Sequence, residues 1–505
     1  MDLLKLQNGS DIRGVAVDGV AGESVTLTED IVYQFARGFA TYLQDKYDKQ
    51  DLKVAVGHDS RISADALKQA VCKGLKDSGC VVYDCGLAST PSMFMSTIFE
   101  EFKSDGAIMI TASHLPYNRN GMKFFDVDGG LNKKDITEII TNAKEENYIE
   151  GNGSIKQQDL LSVYSNFLIE TIRKQVNDKT NFDTPLSGMK IVVDAGNGAG
   201  GFYAEKVLQP LGADTTGSQF LDPDGMFPNH IPNPENKEAM EAICKAVLDN
   251  NADLGLIFDT DVDRSSAVDK DGNEISRNAI VALSAALVCE EHPGTTIVTD
   301  SVTSDELHEF LENVLKVKHL RFKRGYKNVI NKAVELNAEG IDAQLAIETS
   351  GHAALKENYF LDDGAYLATK IVIKAAKMHA QGKSIDTLIK DLKHPLEEQE
   401  LRFQINTPDF SEYGEKVLSA LETYPTKQPQ FKLAKENYEG LRFSFDETNG
   451  NGWLLLRKSL HDPILALNIE SNSAGGCKKI AAQLYEFLKD YELLNLDSLH
   501  SFMNK

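Results

Sequence analysis

The sequence has no apolar run long enough to span a bilayer, and its first residues show no cationic segment followed by an apolar one. We therefore expect neither a membrane span nor a secretory signal. Its six cysteines form no CxxC pair and no dense framework, which is typical of reduced thiols in a cytoplasmic protein. It is also short of basic residues, with 53 Lys and Arg against 76 Asp and Glu and a net charge of −23. That charge disfavours nucleic acid or an anionic membrane as a partner.

Two catalytic signatures are missing as well. No GxxxxGK[ST] loop occurs, which excludes P-loop ATP chemistry, and no GxSxG elbow surrounds Ser113, which disfavours an esterase. A GxGxxG pattern does occur at residues 196–201, after an apolar strand. Asp194 stands where the phosphates of a dinucleotide would approach, however, and no second strand ending in an acidic residue follows at the usual distance. We interpret these glycines as a tight turn between a strand and a helix.

What the sequence does contain is a repeated α/β pattern. Its 42% hydrophobic and 26% charged residues are globular composition, and a length of 505 residues suggests several domains. Apolar strands at 53–56, 190–193 and 296–298 each run into a polar loop and then a helical period, such as 64–76 and 304–317. From about residue 396, short strands and a closing helix replace that pattern. We predict three related α/β domains with mixed, mostly parallel sheets around a central cleft, plus a smaller C-terminal α+β domain.

The predicted domain boundaries follow these changes of pattern. Domain I covers residues 1–187, domain II 188–293, domain III 294–393 and domain IV 394–505. Each of the first three contains a second buried strand, at 106–110, 254–258 and 344–347, which runs into a loop of chemically active side chains. Ligands of open α/β sheets bind beyond the carboxyl ends of strands, so three such loops predict one shared cleft.

The loop after strand 254–258 gives the strongest local signal. Asp259, Asp261 and Asp263 alternate along it, and alternate carboxylates on an extended loop turn toward one point as oxygen ligands for Mg²⁺. An EF-hand is excluded because its glycine position holds Arg264. A haloacid-dehalogenase-type phosphatase also begins with an apolar strand and DxD, but it usually has Thr or Val in place of Asp263, which disfavours that class. A solvated acidic turn is the remaining alternative. Arg264 suits either a phosphate or a structural ion pair.

The loops after the other two strands carry hydroxyls, a carboxylate and imidazoles. Ser113 and His114 follow the first strand, and a serine there can carry a phosphoryl group if a cation offsets the charge. Taken alone, it would be a turn or cap residue. Residues 348–352 (ETSGH) offer groups that suit the hydroxyls of a sugar, although surface positions are the alternative. Lys327 is a candidate for phosphate binding, against the default of a solvated lysine.

Together and in this order, the loops resemble those of the α-D-phosphohexomutase superfamily, the phosphomannomutase and phosphoglucomutase enzymes. The phosphoserine loop of that family is similar to 111–114 (TASH) with 120–123 (NGMK), its metal loop to 259–264 (DTDVDR) and its sugar loop to 348–352 (ETSGH). Further matches are DIRG at 11–14, GHDSR at 57–61, PDGMFPNH at 223–230 and DDG at 362–364. The resemblance covers nearly the whole chain.

The resemblance implies an isomerase that interconverts the 1-phosphate and 6-phosphate of a hexose, glucose or mannose or both, by intramolecular phosphotransfer. It implies phosphoserine at Ser113, a hexose 1,6-bisphosphate as intermediate and activator, and bound Mg²⁺. The implied residues are Ser113, His114, Arg13, Lys123, Arg264 and His352 for catalysis, Lys327, Glu348, Ser350, Arg457 and Ser459 for substrate, and Ser113, Asp259, Asp261 and Asp263 for the metal. Proton transfer to the sugar is left open among Arg13, Lys123 and His352. The expected partner is a hexose phosphate, and the expected assembly is a monomer or small homo-oligomer.

The fourth loop departs from the family pattern. The usual phosphate clamp reads Arg-Pro-Ser-(Gly/Asn)-Thr-Glu-Pro, whereas residues 457–463 read RKSLHDP. Arg457 and Ser459 are kept, but Leu460 and His461 replace the small residue and the threonine. We therefore interpret the chain as a divergent branch. The alternatives are a magnesium-dependent sugar-phosphate phosphatase and a non-catalytic sugar-phosphate binding protein, and an amino-sugar or pentose phosphate also stays open as substrate.

Overall fold

The computed structural model describes residues 2–459 and 462–504, and the chain forms two compact units. The first unit comprises Met1–His292 and Ala343–Lys390, and the second comprises Pro293–Asp342 and Asp391–Lys505. Both units combine helices with β-sheets, which confirms the predicted α/β class. Within the described ranges, no helix is both long enough and apolar enough to cross a bilayer.

The largest sheet of the first unit has eight strands of mixed direction. Lys53–His58 pairs parallel with both Val81–Leu87 and Gly106–Ile110, and Arg119–Asp126 returns antiparallel to Gly106–Ile110. In hydrogen-bonded order the strands are Gln7–Asn8, Asp11–Val15, Arg119–Asp126, Gly106–Ile110, Lys53–His58, Val81–Leu87 and Ser154–Gln157, with Gly129–Gly130 beside Arg119–Asp126.

Two smaller sets of strands belong to the same unit. One is a four-stranded sheet in the order Glu274–Ile275, Ser265–Asp269, Leu254–Phe258, Ile191–Asp194, and the other is the antiparallel run Ala343–Ile347, Ala353–Leu355, Leu361–Asp362. In all three sets, the strand before a predicted site loop pairs antiparallel with the strand after it. Each site loop therefore closes a hairpin, while the parallel pairs are joined through longer connections. The sheets are therefore mixed, as predicted, but they are not mostly parallel, because the hairpins around the site loops and the edge strands make antiparallel pairs outnumber parallel ones among the described strands.

The helices of the first unit begin and end where the sequence supplies caps. Thr28 accepts a hydrogen bond from Ile31 N at the start of Glu29–Tyr47, and the left-handed Asp48 ends that helix. The other α-helices are Ala64–Asp77, Thr90–Met95, Lys133–Lys144, Leu160–Val176, Lys237–Asn250, Asn278–Glu291 and Gly364–His379. Shorter 3₁₀ or π segments are Leu3–Leu6, Tyr203–Leu208, Gln209–Leu211, Lys356–Asn358 and Ile385–Leu388.

A dense apolar core holds the first sheet against its helices. The rings of Phe39 and Phe124 lie 5.1 Å apart between centroids, and both side chains are buried. Gly106 begins the strand that leads to Ser113, and a Cβ at Gly106 would lie 2.8 Å from both Phe39 and Leu43. Because such a core leaves no room for movement, it fixes the strand end from which the Ser113 loop departs.

Within the second unit, the part after residue 391 has the α+β character predicted for the C-terminal part of the chain, and Pro293–Asp342 adds a parallel strand pair. Its antiparallel sheet has the order Glu397–Gln404, Ile464–Ser471, Gly452–Lys458, Leu441–Phe445, Lys432–Leu433, and Thr296–Thr299 pairs parallel with Lys318–Arg321. Its helical segments are Asp305–Glu309, Phe310–Val314, Tyr326–Ala338, Phe410–Thr423, Tyr424–Thr426, Glu447–Asn449, Gly476–Leu488 and Asp497–Asn504. The helical period predicted over 304–317 is realised as a short α-helix that continues as the π-helix Phe310–Val314. Within this unit, buried Arg442 lies over the Trp453 ring at 3.5 Å and binds Asp305 at 2.8 Å.

The glycines at 196–201 form the tight turn that the sequence predicts, and their small size serves packing. A Cβ on Gly198 would lie 2.6 Å from Thr260 O and 2.7 Å from Thr260 Cα. A Cβ on Gly201 would lie 2.3 Å from Leu221 O. The carboxylate of Asp194 accepts hydrogen bonds from His230 Nε2 at 3.0 Å and from Gly196 N at 2.9 Å. This turn therefore supports the aspartate loop from behind.

Gly198→Ala is expected to lower the free energy of unfolding by about 1–3 kcal/mol, since the added methyl group overlaps the backbone of Thr260. Displacement of Thr260 should also weaken Mg²⁺ binding by the adjoining aspartates. Urea denaturation and calorimetric titration measure the two effects. Glu205→Ala on the exposed surface is the control, with an expected change within about 0.5 kcal/mol. Unchanged stability of Gly198→Ala would contradict the packing role.

Candidate active site

Main-chain hydrogen bonds attach the aspartate loop to other segments of the first unit. Thr90 N donates to Asp261 O at 2.8 Å, and Gly364 N donates to Val262 O at 3.1 Å. Arg264 and His352 form an antiparallel β-bridge between the aspartate loop and residues 348–352. The β-bridge fixes these two loops relative to each other, and the other two bonds hold the aspartate loop against Thr90 and Gly364.

The aspartate loop is a turn and not the extended segment that the sequence analysis expects. Val262 has φ 65°, and its N–H donates to Asp259 O at 3.4 Å. The left-handed residue reverses the chain, so the carboxylates of Asp259, Asp261 and Asp263 meet with ligand atoms within 4.8 Å of one another. The convergence of the carboxylates is thus as predicted, but a bend in the backbone produces it.

The three carboxylates fit a divalent cation. All of them are buried, and Oδ1 of both Asp261 and Asp263 has no hydrogen-bond partner in the described part of the chain. Buried carboxylate oxygens without partners are costly unless a cation binds them. An all-oxygen donor set is the kind that Mg²⁺ prefers.

The electrostatics of this loop are those of like charges held together. Burial raises the pKa of Asp259 well above its ordinary value, and the charges of Asp263 and Asp261 raise it further. Burial also raises the pKa of Asp263, but the charge of Lys123, followed by those of His352 and Arg264, outweighs it and leaves that pKa well below the ordinary range. Positive charge from Lys123, His352 and Arg264 therefore keeps Asp263 ionised, whereas burial and like charge raise the pKa of Asp259 and favour its protonated form.

Lys123 supplies part of that charge. It projects from the strand Arg119–Asp126, is buried, and places Nζ 3.0 Å from Asp261 Oδ2 while also binding Asp263. The hydroxyl of Thr90 donates to Asp261 as well. Thr90 has no recognisable signature in the sequence, since a threonine at the start of a short helix is usually an ordinary cap residue.

Ser113 lies in the same cluster. Its Oγ lies 3.3 Å from Asp259 Oδ2 and accepts a hydrogen bond from Arg264 Nη2 at 3.1 Å. Ser113 is buried and has φ 52°, a left-handed conformation that costs a non-glycine residue about 1–3 kcal/mol. The side chain of Thr111 holds it by accepting from Ser113 N at 2.9 Å. The hydroxyl is thus aimed at both the carboxylates and a guanidinium.

His114 is a neutral hydrogen-bond acceptor. Burial, followed by the charges of Arg264 and Arg13, lowers the pKa of His114 to about 2. Its Nδ1 accepts from Arg264 Nη2 at 2.6 Å and lies 3.3 Å from Ser113 Oγ. His114 therefore orients its neighbours and carries no charge at neutral pH.

Arg264 connects the loops. Its main-chain N–H donates to Asp259 Oδ1 at 3.2 Å, and its Nε donates to His352 Nε2 at 3.2 Å. With its bonds to Ser113 and His114, the guanidinium touches all three predicted loops. Such a planar, permanently charged group is suited to a transferring phosphoryl group.

The residues at 348–352 that are predicted to bind the sugar also lie in this cluster. His352 Nδ1 lies 2.8 Å from Ser350 Oγ and 3.5 Å from the buried carboxylate of Glu348. Its Nε2 lies 3.7 Å from Asp362 Oδ2, a residue of the DDG motif to which the sequence analysis assigns no role. Burial lowers the pKa of His352, but the charge of Asp362 opposes it and leaves the pKa raised.

Arg13, on the strand Asp11–Val15, lies beside the first residue of the Ser113 loop. Its Nη1 donates to Thr111 O at 3.2 Å, and its Nη2 pairs with Asp11 Oδ2 at 2.8 Å. The first unit therefore assembles every predicted catalytic residue, the three aspartates, Glu348 and Ser350.

The remaining predicted residues belong to the second unit. Lys327 lies in the helix Tyr326–Ala338, and Arg457 Nη1 lies 3.9 Å from Glu439 Oε1. Burial lowers the pKa of Arg457. Ser459 Oγ accepts from Asp462 N at 3.1 Å. Leu460 and His461, where the sequence departs from the family clamp, lie outside the described residues.

Comparison with known proteins agrees with this geometry. Residues 5–149, 164–272 and 276–395 match three families described as phosphoglucomutase/phosphomannomutase alpha/beta/alpha domains I, II and III. The chain is 30% identical to phosphomannomutase/phosphoglucomutase of Pseudomonas syringae over 95% of this chain and 94% of that protein. It is 31% identical to phosphoglucomutase/phosphomannomutase of Thermococcus kodakarensis over 90% and 93%. The crystal structure of a phosphoglucomutase/phosphomannomutase family protein from Burkholderia thailandensis has 26% identity and a TM-score of 0.76, covering 96% of this chain and 97% of that one.

The chain therefore belongs to the α-D-phosphohexomutases, and within them to the phosphoglucomutase/phosphomannomutase family. It is an enzyme, an isomerase that works as an intramolecular phosphotransferase. Its buried aspartates form a cluster that could bind a metal ion.

Asp261→Asn is expected to weaken Mg²⁺ binding by about tenfold or more, because one charged ligand of three is lost. Calorimetric titration of the variant with MgCl₂ measures the change. Asp271→Asn, an exposed aspartate two residues beyond a neighbouring strand of the same sheet, is the control and should leave the titration unchanged. Equal affinity in both variants would exclude Asp261 as a ligand.

Proposed function

We propose that this enzyme interconverts hexose 1-phosphate and hexose 6-phosphate, of glucose or mannose or both, through phosphoserine 113 and a hexose 1,6-bisphosphate. The position of the Ser113 hydroxyl carries the proposal. It lies between the Asp259 carboxylate at 3.3 Å and the Arg264 guanidinium at 3.1 Å, at the edge of the aspartate cluster. The relatives bear the names phosphomannomutase, phosphoglucomutase or both, which supports these substrates.

The proposed reaction consists of two transfers. First, phosphoserine 113 gives its phosphoryl group to the free hydroxyl of the bound hexose phosphate. The Oγ–P bond breaks, a sugar O–P bond forms, and the sugar hydroxyl loses its proton to a base. The bisphosphate then turns over, its other O–P bond breaks, Ser113 Oγ regains a phosphoryl group, and the released sugar oxygen takes up a proton.

Charge neutralisation is the main demand of such a transfer. Asp259, Asp261, Asp263 and an oxygen on Ser113 would hold Mg²⁺, which when bound supplies positive charge beside the phosphoryl oxygens. Arg264 donates directly to Ser113 Oγ and so neutralises charge on the group in transit. Lys123, on the strand Arg119–Asp126, offsets the negative charge of the Asp261 and Asp263 carboxylates.

Among the three candidates for proton transfer, the contacts favour His352. Lys123 is bound to two aspartates, and Arg13 is held by Asp11 and by Thr111 O. His352 has an imidazole, a group that can either accept or donate a proton, and its Nδ1 lies 2.8 Å from the Ser350 hydroxyl. We assign proton transfer at the sugar oxygens to His352.

We assign the substrate-binding residues from the chemical groups that they carry. Glu348 and Ser350 provide a carboxylate and a hydroxyl for two sugar hydroxyls. Arg457, Ser459 and Lys327 are proposed to bind the phosphate group that does not react, for which a guanidinium gives paired hydrogen bonds.

Ser113→Ala is expected to reduce turnover by at least about 10³-fold, because it removes the group that carries the phosphoryl. Phosphorus NMR of the protein with Mg²⁺, glucose 1-phosphate and a trace of glucose 1,6-bisphosphate, repeated with mannose 1-phosphate, measures turnover and sugar preference. Ser104→Ala is the matched control and should retain wild-type rates, because this buried serine hydroxyl has no hydrogen-bond partner among the described residues.

Two outcomes of that experiment would overturn the proposal. Release of free phosphate by the wild-type protein would establish a phosphatase. Undiminished turnover by Ser113→Ala would exclude Ser113 as the carrier.

Arg457→Ala is expected to raise the KM for hexose phosphate by about tenfold or more with a smaller effect on kcat, because a charge-assisted bond contributes roughly 1.5–3 kcal/mol. Steady-state kinetics with glucose 1-phosphate measures both constants. Arg402→Ala, on the exposed side of a strand in the same unit, should change neither. A KM that stays at the wild-type value in Arg457→Ala would contradict a phosphate contact.

A further inference from the structure

Arg61 belongs to the GHDSR motif, for which the mechanism above has no use. Its side chain is fully buried, and its guanidinium donates to four main-chain carbonyls of one loop. From Nη1 it donates to Pro116 O at 2.7 Å and to Arg119 O at 3.0 Å, and from Nη2 to Leu115 O at 2.6 Å and to Ser113 O. The loop that these bonds hold is the one that carries the Ser113 hydroxyl.

Asp59 completes the attachment from the other side. Its Oδ1 accepts from Arg61 N at 3.0 Å, and its Oδ2 lies 3.2 Å from Arg61 Nε. Oδ2 also accepts from the Thr111 hydroxyl at 2.6 Å, and the Thr111 oxygen accepts in turn from Ser113 N at 2.9 Å. Both the N–H and the carbonyl of Ser113 are thus connected to the same buried ion pair.

The PDGMFPNH segment covers this pair. The Phe227 ring lies 5.3 Å from the guanidinium of Arg61, and Gly225 packs so closely that a Cβ would lie 2.4 Å from Ile62 N and 2.5 Å from Ser60 O. With water kept away, hydrogen bonds from a charged donor hold the loop more strongly.

The conformation of Ser113 explains why such an attachment is needed. A serine with φ 52° persists only where its surroundings hold it there. Without the four convergent N–H donors of the guanidinium, the loop is free to relax toward an ordinary backbone conformation. The Oγ would then leave the position between Asp259 and Arg264 that phosphoryl transfer requires.

We propose that Arg61 is a positioning residue for phosphoryl transfer, which fixes the Ser113 loop through its main-chain carbonyls. The proposal rests on the proposed function, since it concerns the geometry of phosphoserine 113. Arg61 acts through the backbone of Ser113 and not through the hydroxyl. Its loss should therefore slow transfer while the sugar contacts of Glu348 and Ser350 stay intact.

Arg61→Gln tests this proposal, with Arg61→Lys as the conservative variant that keeps the charge but replaces the planar fork by one ammonium. Arg37→Lys is the matched control, because Arg37 is also a buried arginine of the first unit, which donates to Ile149 O at 3.1 Å. Thr111→Val is a second route to the same loop if Arg61→Gln does not fold. Each variant is assayed for kcat, KM, thermal midpoint and the rate at which its phosphoenzyme, formed with glucose 1,6-bisphosphate, releases phosphate to water.

For Arg61→Gln we expect kcat to fall by about a hundredfold, KM to change by less than about threefold, and phosphoenzyme hydrolysis to rise by about tenfold. Arg61→Lys should recover only part of kcat, and Thr111→Val should show the same loss of kcat with KM retained. Arg37→Lys should lower the thermal midpoint while its kcat and hydrolysis rate stay at wild-type values.

A kcat in Arg61→Gln no lower than that of Arg37→Lys at matched folded fraction would overturn the role of Arg61. Equal losses in kcat and in sugar binding would overturn it as well. Failure of the wild-type protein to accept phosphate on Ser113 would instead refute the proposed function, so the two failures are distinguishable.

Discussion

The burial of three carboxylates at one point is the constraint on which the rest of the site depends. Asp259, Asp261 and Asp263 have ligand atoms within 4.8 Å of one another, and none is exposed to water. Such an arrangement is stable only with compensating positive charge. Arg264, which follows Asp263 in the aspartate loop, and Lys123, on the strand Arg119–Asp126, supply it, and a divalent cation would supply more. The proposed phosphoryl transfer needs the same positive charge, so the groups that stabilise these carboxylates are also the ones that we propose for catalysis.

The sheets make this concentration of charge possible. Each site loop closes a hairpin whose first strand is buried, so the loop starts from a fixed point in the core. A main-chain β-bridge between Arg264 and His352 then joins two of the site loops. The Ser113 loop is held by the buried Arg61–Asp59 ion pair. The site side chains therefore project from backbone segments that are held in place. Phosphoryl transfer benefits from such fixed positions, because its rate depends mainly on the positions and charges of the groups around the phosphoryl group.

The sequence predicts these parts unequally. The buried strands at 106–110 and 254–258 have the expected bounds, because a short apolar run that ends in a polar loop strongly favours a buried strand. The convergence of the aspartates is predicted from their spacing, but the bend at Val262 is not, since a β-branched residue with φ 65° contradicts local preference. The carbonyl contacts of Arg61 leave no sequence pattern, because main-chain oxygens are the same at every residue. The role of Thr90 depends on a contact with Asp261, 171 positions away, that no local rule contains.

The central claim is that Ser113 carries the phosphoryl group and passes it to a sugar. Its most direct test is to label the enzyme with radioactive phosphate from labelled hexose 1,6-bisphosphate, locate the label by peptide mapping, and add unlabelled glucose 6-phosphate. We predict label on the peptide that contains Ser113 and its transfer to the sugar phosphates during the chase. Label on another peptide, or its release as inorganic phosphate, would contradict the account.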